Sequence, residues 1–213
     1  MKKENTNLPK VLNILRKLYP EPECALHYKK PFELLVSVIL SAQCTDKRVN
    51  EVTKTLFKKY KTLDDYLRAN PKEFEKDIYS TGFFRAKTKN ILAAAEFIKN
   101  NFKGRLPKTM SEMITIPGVG RKTANVVLGE LYGIAEGIAV DTHVIRLSRL
   151  LGLTKHKDAT RIERDLAKIV PKKDWVSISH MLILYGREYC TARCKHTDCP
   201  LAQFAKSPQR SSM

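Results

Sequence analysis

The sequence predicts an all-α protein built as two lobes. Apolar residues recur at three- and four-residue intervals along nearly the whole chain, the spacing of one face of a helix. No stretch alternates apolar and polar residues over the length that a half-buried strand needs. Gly133 through Gly137 reads as a connector. It divides a lobe of residues 24–133 from a second lobe formed by residues 1–23 and 137–213. At 213 residues the chain is long enough to bury a core in one or two compact domains.

Each helix has its own signals. Leu8, Val11, Leu12, Leu15 and Leu18 share one face, and Pro20 and Pro22 stop that helix. Pro31 opens a strongly apolar helix through Phe32, Leu35, Val36, Ile39 and Leu40, whose end carries Ser41-Ala42-Gln43-Cys44-Thr45-Asp46. Thr45 or Asp46 can cap the next helix, which buries Val49, Val52, Leu56 and Phe57. Short helices are expected at 63–69 and 71–79, with a turn at Ser80-Thr81-Gly82. A longer helix from Phe84 to Asn100 starts with basic Arg85, Lys87 and Lys89 and is broken by Lys103-Gly104-Arg105-Leu106-Pro107. Two helices, about 111–115 and 121–132, flank Ile116-Pro117-Gly118-Val119-Gly120. Beyond the connector, Asp141, Asp158 and Asp174 are each placed to cap a helix. The tail from Tyr189 holds Cys190, Cys194 and Cys199 and then turns polar.

Composition narrows the partners. Lys and Arg number 39 against 22 Asp and Glu, a net charge of +17, which points to nucleic acid, an anionic surface or an acidic protein. No apolar run approaches the roughly 18–20 residues of a membrane span, so no membrane role is expected. The polar opening Met1–Thr6 does not resemble a leader peptide. Five cysteines, two isolated and three clustered, do not form a secreted disulfide pattern, and a reducing, cytoplasmic setting is expected. Nothing indicates an oligomer, so a monomer is expected.

The stretch Gly118-Val119-Gly120-Arg121-Lys122 lies between two helices. Glycines there let backbone N–H groups face outward at a helix N-terminus, where the dipole favours an anion. A dinucleotide site would need a preceding strand and a third glycine, and neither is present. A P-loop would need glycine directly before the lysine, where Arg121 stands. Two helices around Pro-Gly-Val-Gly resemble the helix-hairpin-helix motif (about residues 109–133), which grips DNA phosphates without reading sequence. The bland reading of the same glycines is a tight turn that permits close packing.

The hairpin has company. Leu106-Pro107 through Gly133, Ala139-Val140-Asp141-Thr142-His143, Leu40-Ser41-Ala42-Gln43-Cys44-Thr45-Asp46 and the basic helix after Gly82 together resemble the endonuclease III family of DNA glycosylases, in the same order over nearly the whole chain. The resemblance implies a two-lobed helical DNA glycosylase fold. It also implies excision of oxidised pyrimidines from double-stranded DNA, followed by cleavage 3′ to the abasic site by β-elimination. Lys122 matches the family's nucleophilic lysine and Asp141 its catalytic aspartate. A lysine in the first turn of a helix with basic neighbours has its ammonium form disfavoured, which suits a nucleophile. Gln43 matches the residue that fills the space of the flipped base, and Phe83 occupies a wedge position where relatives commonly carry an aliphatic residue. Gly118, Val119, Gly120, Arg121, Arg85, Lys87 and His143 are the remaining expected DNA contacts. Related monofunctional mismatch glycosylases usually lack lysine at the Lys122 position, and a non-catalytic helix-hairpin-helix module would not need both Lys122 and Asp141.

The resemblance further implies a [4Fe–4S] cluster on four cysteines spaced C-x6-C-x2-C-x5-C. Cys190 and Cys199 match the first and third positions, the fourth falls at Ala205, and the second falls at His196 with Cys194 slightly upstream. Three readings stay open for Cys190, Cys194, Cys199 and His196: no metal, an incomplete or His-ligated cluster, or a tetrahedral zinc ion. The ligand count places no metal first.

Overall fold

The computed structural model of the protein describes residues 7–205; the opening Met1–Thr6 and residues 206–213 lie outside the described residues. All regular structure within them is helical. None of these helices is long and apolar enough to cross a membrane. In chain order they are α1 (Leu8–Leu18), α2 (Pro31–Leu40), α3 (Asp46–Lys59), α4 (Leu63–Leu67), α5 (Pro71–Ile78), α6 (Phe84–Phe102), α7 (Met110–Met113), α8 (Arg121–Tyr132), α9 (Thr142–Leu150), α10 (Ala159–Ile169) and α11 (Trp175–Glu188). The chain divides into two compact units, one of Cys24–Ile134 and one combining Met1–Glu23 with Ala135–Met213.

In the Cys24–Ile134 unit, α2 is the central helix. Leu34, Leu35, Val36, Ile39 and Leu40 are all buried, which is why this segment is apolar around its circumference instead of on one stripe. It packs against α3, α6 and α8. Glu33 starts it by accepting hydrogen bonds from the Lys29 and Lys30 N–H groups at 2.7 and 3.1 Å. Thr45 caps α3, its hydroxyl accepting from the Arg48 N–H. Asn70, followed by Pro71 in the first turn, caps α5. Tyr60, Tyr66 and Phe74 pack ring to ring at centroid distances of 5.1–5.9 Å. The long α6 ends at Lys103 in the left-handed conformation, and the Gly104 N–H closes it on the Ile98 carbonyl.

In the other unit, α1, α9, α10 and α11 enclose Val11, Leu15, Val144, Leu147, Ile162, Leu166, Ile178, Leu182 and Tyr185. Asp141 and Asp158 cap α9 and α10, accepting from the Val144 and Arg161 N–H groups at 2.8 and 2.9 Å. Asp174 departs from the sequence expectation. It stands at the cap position of α11, but its side chain makes no cap bond. The carboxylate instead pairs with Arg16 of α1 at 2.7 Å, tying together the two chain segments that build this unit. A long-range charge-assisted bond wins over a local cap because the neighbouring guanidinium is the stronger donor.

A double-mutant cycle tests this exchange. Arg16→Ala and Asp174→Ala are expected to be non-additive by about 1 kcal/mol in urea unfolding, since Arg16 is half exposed. Arg16→Ala with Asp158→Ala should be additive; additivity of the Arg16→Ala and Asp174→Ala pair as well would mean that Asp174 does not act through Arg16.

Candidate functional site

The hairpin between α7 and α8 is shaped by three constraints. Thr109 caps α7, so that helix begins at Met110 and is shorter than its pattern suggested. Gly118 has φ +76°, and a Cβ there would lie 2.6 Å from Cβ of Asn90 on α6. Only glycine lets the loop lie this close to α6. Ile116 and Val119 turn inward and anchor the loop in the core. Gly120 then leads into α8, where a Cβ would meet nothing within 4 Å; the backbone there is open to solvent. The first-turn N–H groups of α8 lack partners within the helix, as at every helix start. Arg121 and Lys122, both exposed, lie in that turn. The result is a bare backbone rim with an ammonium beside it.

Val119, one of the expected DNA contacts, has its side chain turned inward: it is 6% exposed and its N–H donates to the Ile116 carbonyl at 3.0 Å, so the residue holds the loop from inside.

A second feature of the same unit joins the segments after α2 and before α6. Gln43 and Phe83 are both non-glycine residues in the left-handed region, with φ of 53° and 47°. Both are exposed, Phe83 at 64%. Such backbone is costly and persists where its surroundings hold it. What holds it here is Lys87. It is 4% exposed, and its Nζ donates to the Leu40 carbonyl at 2.7 Å and to the Thr81 carbonyl at 2.8 Å. Leu40 ends the helix before Gln43, and Thr81 ends the turn before Phe83. Burial pushes the Lys87 amine below the ordinary lysine value, with Cys44 opposing. Lys87, one of the expected DNA contacts, is thus placed inside the unit, where its Nζ joins the end of α2 to the turn before α6. Arg85 stays on the surface with its guanidinium 5.6 Å from the Phe84 ring centre, while Phe84 packs against the core and lies 4.9 Å from the Tyr79 ring.

In the unit containing α9, Asp141 spends one carboxylate oxygen on the helix cap, and its side chain is half buried. His143 lies against α11, where a Cβ on Gly186 would meet its Nδ1 at 2.6 Å. At the end of α11, one ligand atom from each of Cys190, Cys194, His196 and Cys199 lies within 4.8 Å of the other three. The four-thiolate set of the related cluster is not matched, because Ala205 has no ligating atom.

Two positioning residues are missing from the sequence reading. Asn90 sets the floor under Gly118, and Arg146 donates to Cys190 Sγ at 3.5 Å and to the Cys190 carbonyl. Arg146 has a faint sequence signal: it follows Val144-Ile145 on a helix otherwise read for its apolar face.

With this geometry in place, similarity to known proteins is informative. Residues 36–172 match the model of the HhH-GPD superfamily of base excision DNA repair proteins. The endonuclease III of Synechocystis sp. is 50% identical over 204 residues, covering 94% of this chain and 92% of that protein. A solved structure of a non-covalent endonuclease III–DNA complex superposes with a TM-score of 0.90 at 41% identity, covering 95% of each chain. A trapped endonuclease III–DNA covalent intermediate, an estranged-adenine complex, superposes with a TM-score of 0.89 at the same identity and coverage.

Two substitutions test the local constraints. Gly118→Ala is expected to cost about 2–4 kcal/mol in urea unfolding, from left-handed strain plus the Asn90 collision. Asn90→Gly should recover part of that loss, and no recovery would assign the whole cost to φ. Lys87→Met keeps the volume but removes both bonds, at a cost of about 1–3 kcal/mol. Hydrogen exchange should rise selectively at the amides of 41–46 and 81–84; a uniform rise across the unit would mean that Lys87 does not hold these loops.

Proposed function

The chain belongs to the HhH-GPD superfamily of base excision DNA repair proteins and, within it, to the endonuclease III family, and from this premise we propose how its residues act on DNA. It is a bifunctional DNA glycosylase and abasic-site lyase. Its substrates, in our reading, are duplexes carrying oxidised pyrimidines or abasic sites, bound by a monomer in the cytoplasm. The observation that carries the residue assignment is the exposed Lys122 in the first turn after the Gly118-Val119-Gly120 hairpin, in a chain 41% identical to one trapped covalently on DNA.

The damaged nucleotide must leave the base stack before its C1′ can be reached. The free amine of Lys122 attacks C1′, and the bond from C1′ to the base breaks. The base departs with the bonding pair and takes up a proton. Loss of the amine proton and opening of the sugar give an imine between Nζ and C1′. The imine acidifies the C2′ proton; as that proton leaves, the C3′–O bond breaks and the strand is cut on its 3′ side. Water then releases the lysine. Asp141 contributes a carboxylate that stabilises positive charge developing at the anomeric carbon and assists proton transfer. One of its oxygens caps α9, which fixes the side chain's orientation for that role.

The other contacts have separate tasks. The Gly118 and Gly120 backbone with Arg121 binds the phosphate backbone. Gln43 fills the vacated position, and Phe83 stacks as the wedge at the opened step. Their exposed, left-handed placement supports this assignment, since side chains at such positions project from the loop instead of into the core.

Borohydride trapping on abasic-site DNA provides the test. The unaltered protein should form a covalent adduct and Lys122→Ala should form none. Asp141→Asn should slow single-turnover excision by roughly 10²-fold, in line with loss of a positioned proton-transfer group. Strand cleavage without any trapped adduct would remove the imine mechanism, and an undiminished adduct from Lys122→Ala would move the nucleophile to another residue.

A further inference from the structure

We propose that Cys190, Cys194, His196 and Cys199 bind a single zinc ion, in the place where the related fold is expected to hold an iron–sulfur cluster. The inference concerns the tail and does not depend on the catalytic assignment above.

The first argument is distance. Thiolates bound at about 2.3 Å to one tetrahedral ion stand about 3.8 Å apart, and a thiolate and an imidazole nitrogen stand about 3.5 Å apart. Here one ligand atom from each of the four residues lies within 4.8 Å of the others, and Cys190 Sγ lies 3.4 Å from His196 Nδ1. A four-iron cluster instead carries each thiolate on its own iron, at a separate corner, and spreads the ligands wider. The spacing of these four atoms suits one ion.

The second argument is the donor set. Three thiols and one imidazole are a closed tetrahedral set for zinc. They are three-quarters of a cluster's thiolates, and the position of the missing one is Ala205. The softness of three sulfurs also disfavours magnesium, calcium and manganese.

The third argument is the surroundings. Three thiolates, a neutral imidazole and a dication leave one net negative charge. The Arg146 guanidinium faces it, with one nitrogen 3.5 Å from Cys190 Sγ and another bonded to the Cys190 carbonyl. The His196 N–H donates to Cys194 Sγ at 3.3 Å. Backbone and guanidinium bonds of this kind orient ligands and spread the thiolate charge. His196 takes the left-handed conformation, φ 60°, which folds the loop back so that residues 194, 196 and 199 converge on buried Cys190. The ion would fasten the tail, including Leu201, to the end of α11. Leu201 is buried, and its N–H donates to the Tyr185 hydroxyl at 2.9 Å.

The test is metal analysis of full-length protein from cells grown with both iron and zinc, purified without chelator. About one zinc per chain is expected, with iron and acid-labile sulfide near zero and no broad visible absorption. Iron with sulfide in comparable amounts, or metal-free folded protein, would overturn the proposal. Cobalt(II) exchanged into the site should show intense tetrahedral ligand-field bands and thiolate charge transfer. Cys194→Ser should weaken both, while Thr197→Ala, outside the ligand set, should leave them unchanged. Should Cys194→Ser fail to fold, His196→Cys retains four ligands and is expected to bind cobalt with stronger thiolate charge transfer. An unaltered cobalt spectrum in His196→Cys would exclude His196 as the fourth ligand and sink the assignment. None of these readings depends on DNA cleavage, so they fail or succeed separately from the lyase chemistry.

Discussion

A buried lysine organises the loops after α2 and before α6 in the Cys24–Ile134 unit. Lys87 lies inside a helical core and donates hydrogen bonds to two carbonyls, one at the end of α2 and one in the turn before α6. Burying a charge costs several kcal/mol unless it is well bonded, so the arrangement persists only because both acceptors are in place. Each acceptor belongs to a segment that leads into a left-handed, exposed residue: Gln43 on one side and Phe83 on the other. Strain of about 1–3 kcal/mol at each such position needs a rigid support. Lys87 supplies one support for both, so the two loops share a single anchor and their spacing is held by one side chain.

The hairpin solves the opposite problem. At Lys87 polar groups are drawn inward; at Gly118 and Gly120 the backbone is left bare. The two glycines do different jobs. Gly118 is required by its positive φ and by Asn90 beneath it, whereas Gly120 has ordinary φ and open space around it. For Gly120, packing gives no reason for the missing side chain. The open space at Gly120 leaves room for close approach of another molecule, which is what the proposed phosphate contact at the hairpin uses.

Most of the fold was legible because period and caps are local. Asp141 and Asp158 cap where the sequence indicated, and each apolar stripe finds its core. What escaped was the choice between inward and outward use of the same residue type. Lys87 sits in a basic helix start beside Arg85 and Lys89, and nothing in that run distinguishes the lysine that turns inward. Asp174 has the right neighbours for a cap, but Arg16, 158 residues away in sequence, takes its carboxylate. Val119 shares a motif with two glycines that face out, and its apolar side chain draws the residue in. For Lys87 and Asp174 a partner far along the chain, the Leu40 carbonyl and Arg16, overrode a local signal, and such a partner leaves no mark in a window of ten residues.

The cysteine tail shows the same limit from the other side. Spacing alone, measured against a four-cysteine pattern, reads as loss: one position is Ala205 and another is His196. Three-dimensional proximity reads differently. The backbone reversal at His196 brings an imidazole next to Cys190 Sγ, and the Arg146 guanidinium lies where a thiolate would need it. Random loss of a ligand set gives no reason for the remaining side chains to converge or for a cation to face them. Convergence of three sulfurs and a nitrogen with a compensating guanidinium is the geometry of a smaller site. Zinc has no redox change of its own, so its contribution at this position is mechanical. The tail is then held to α11 by coordination, and the chemistry on DNA is left to residues elsewhere in the chain.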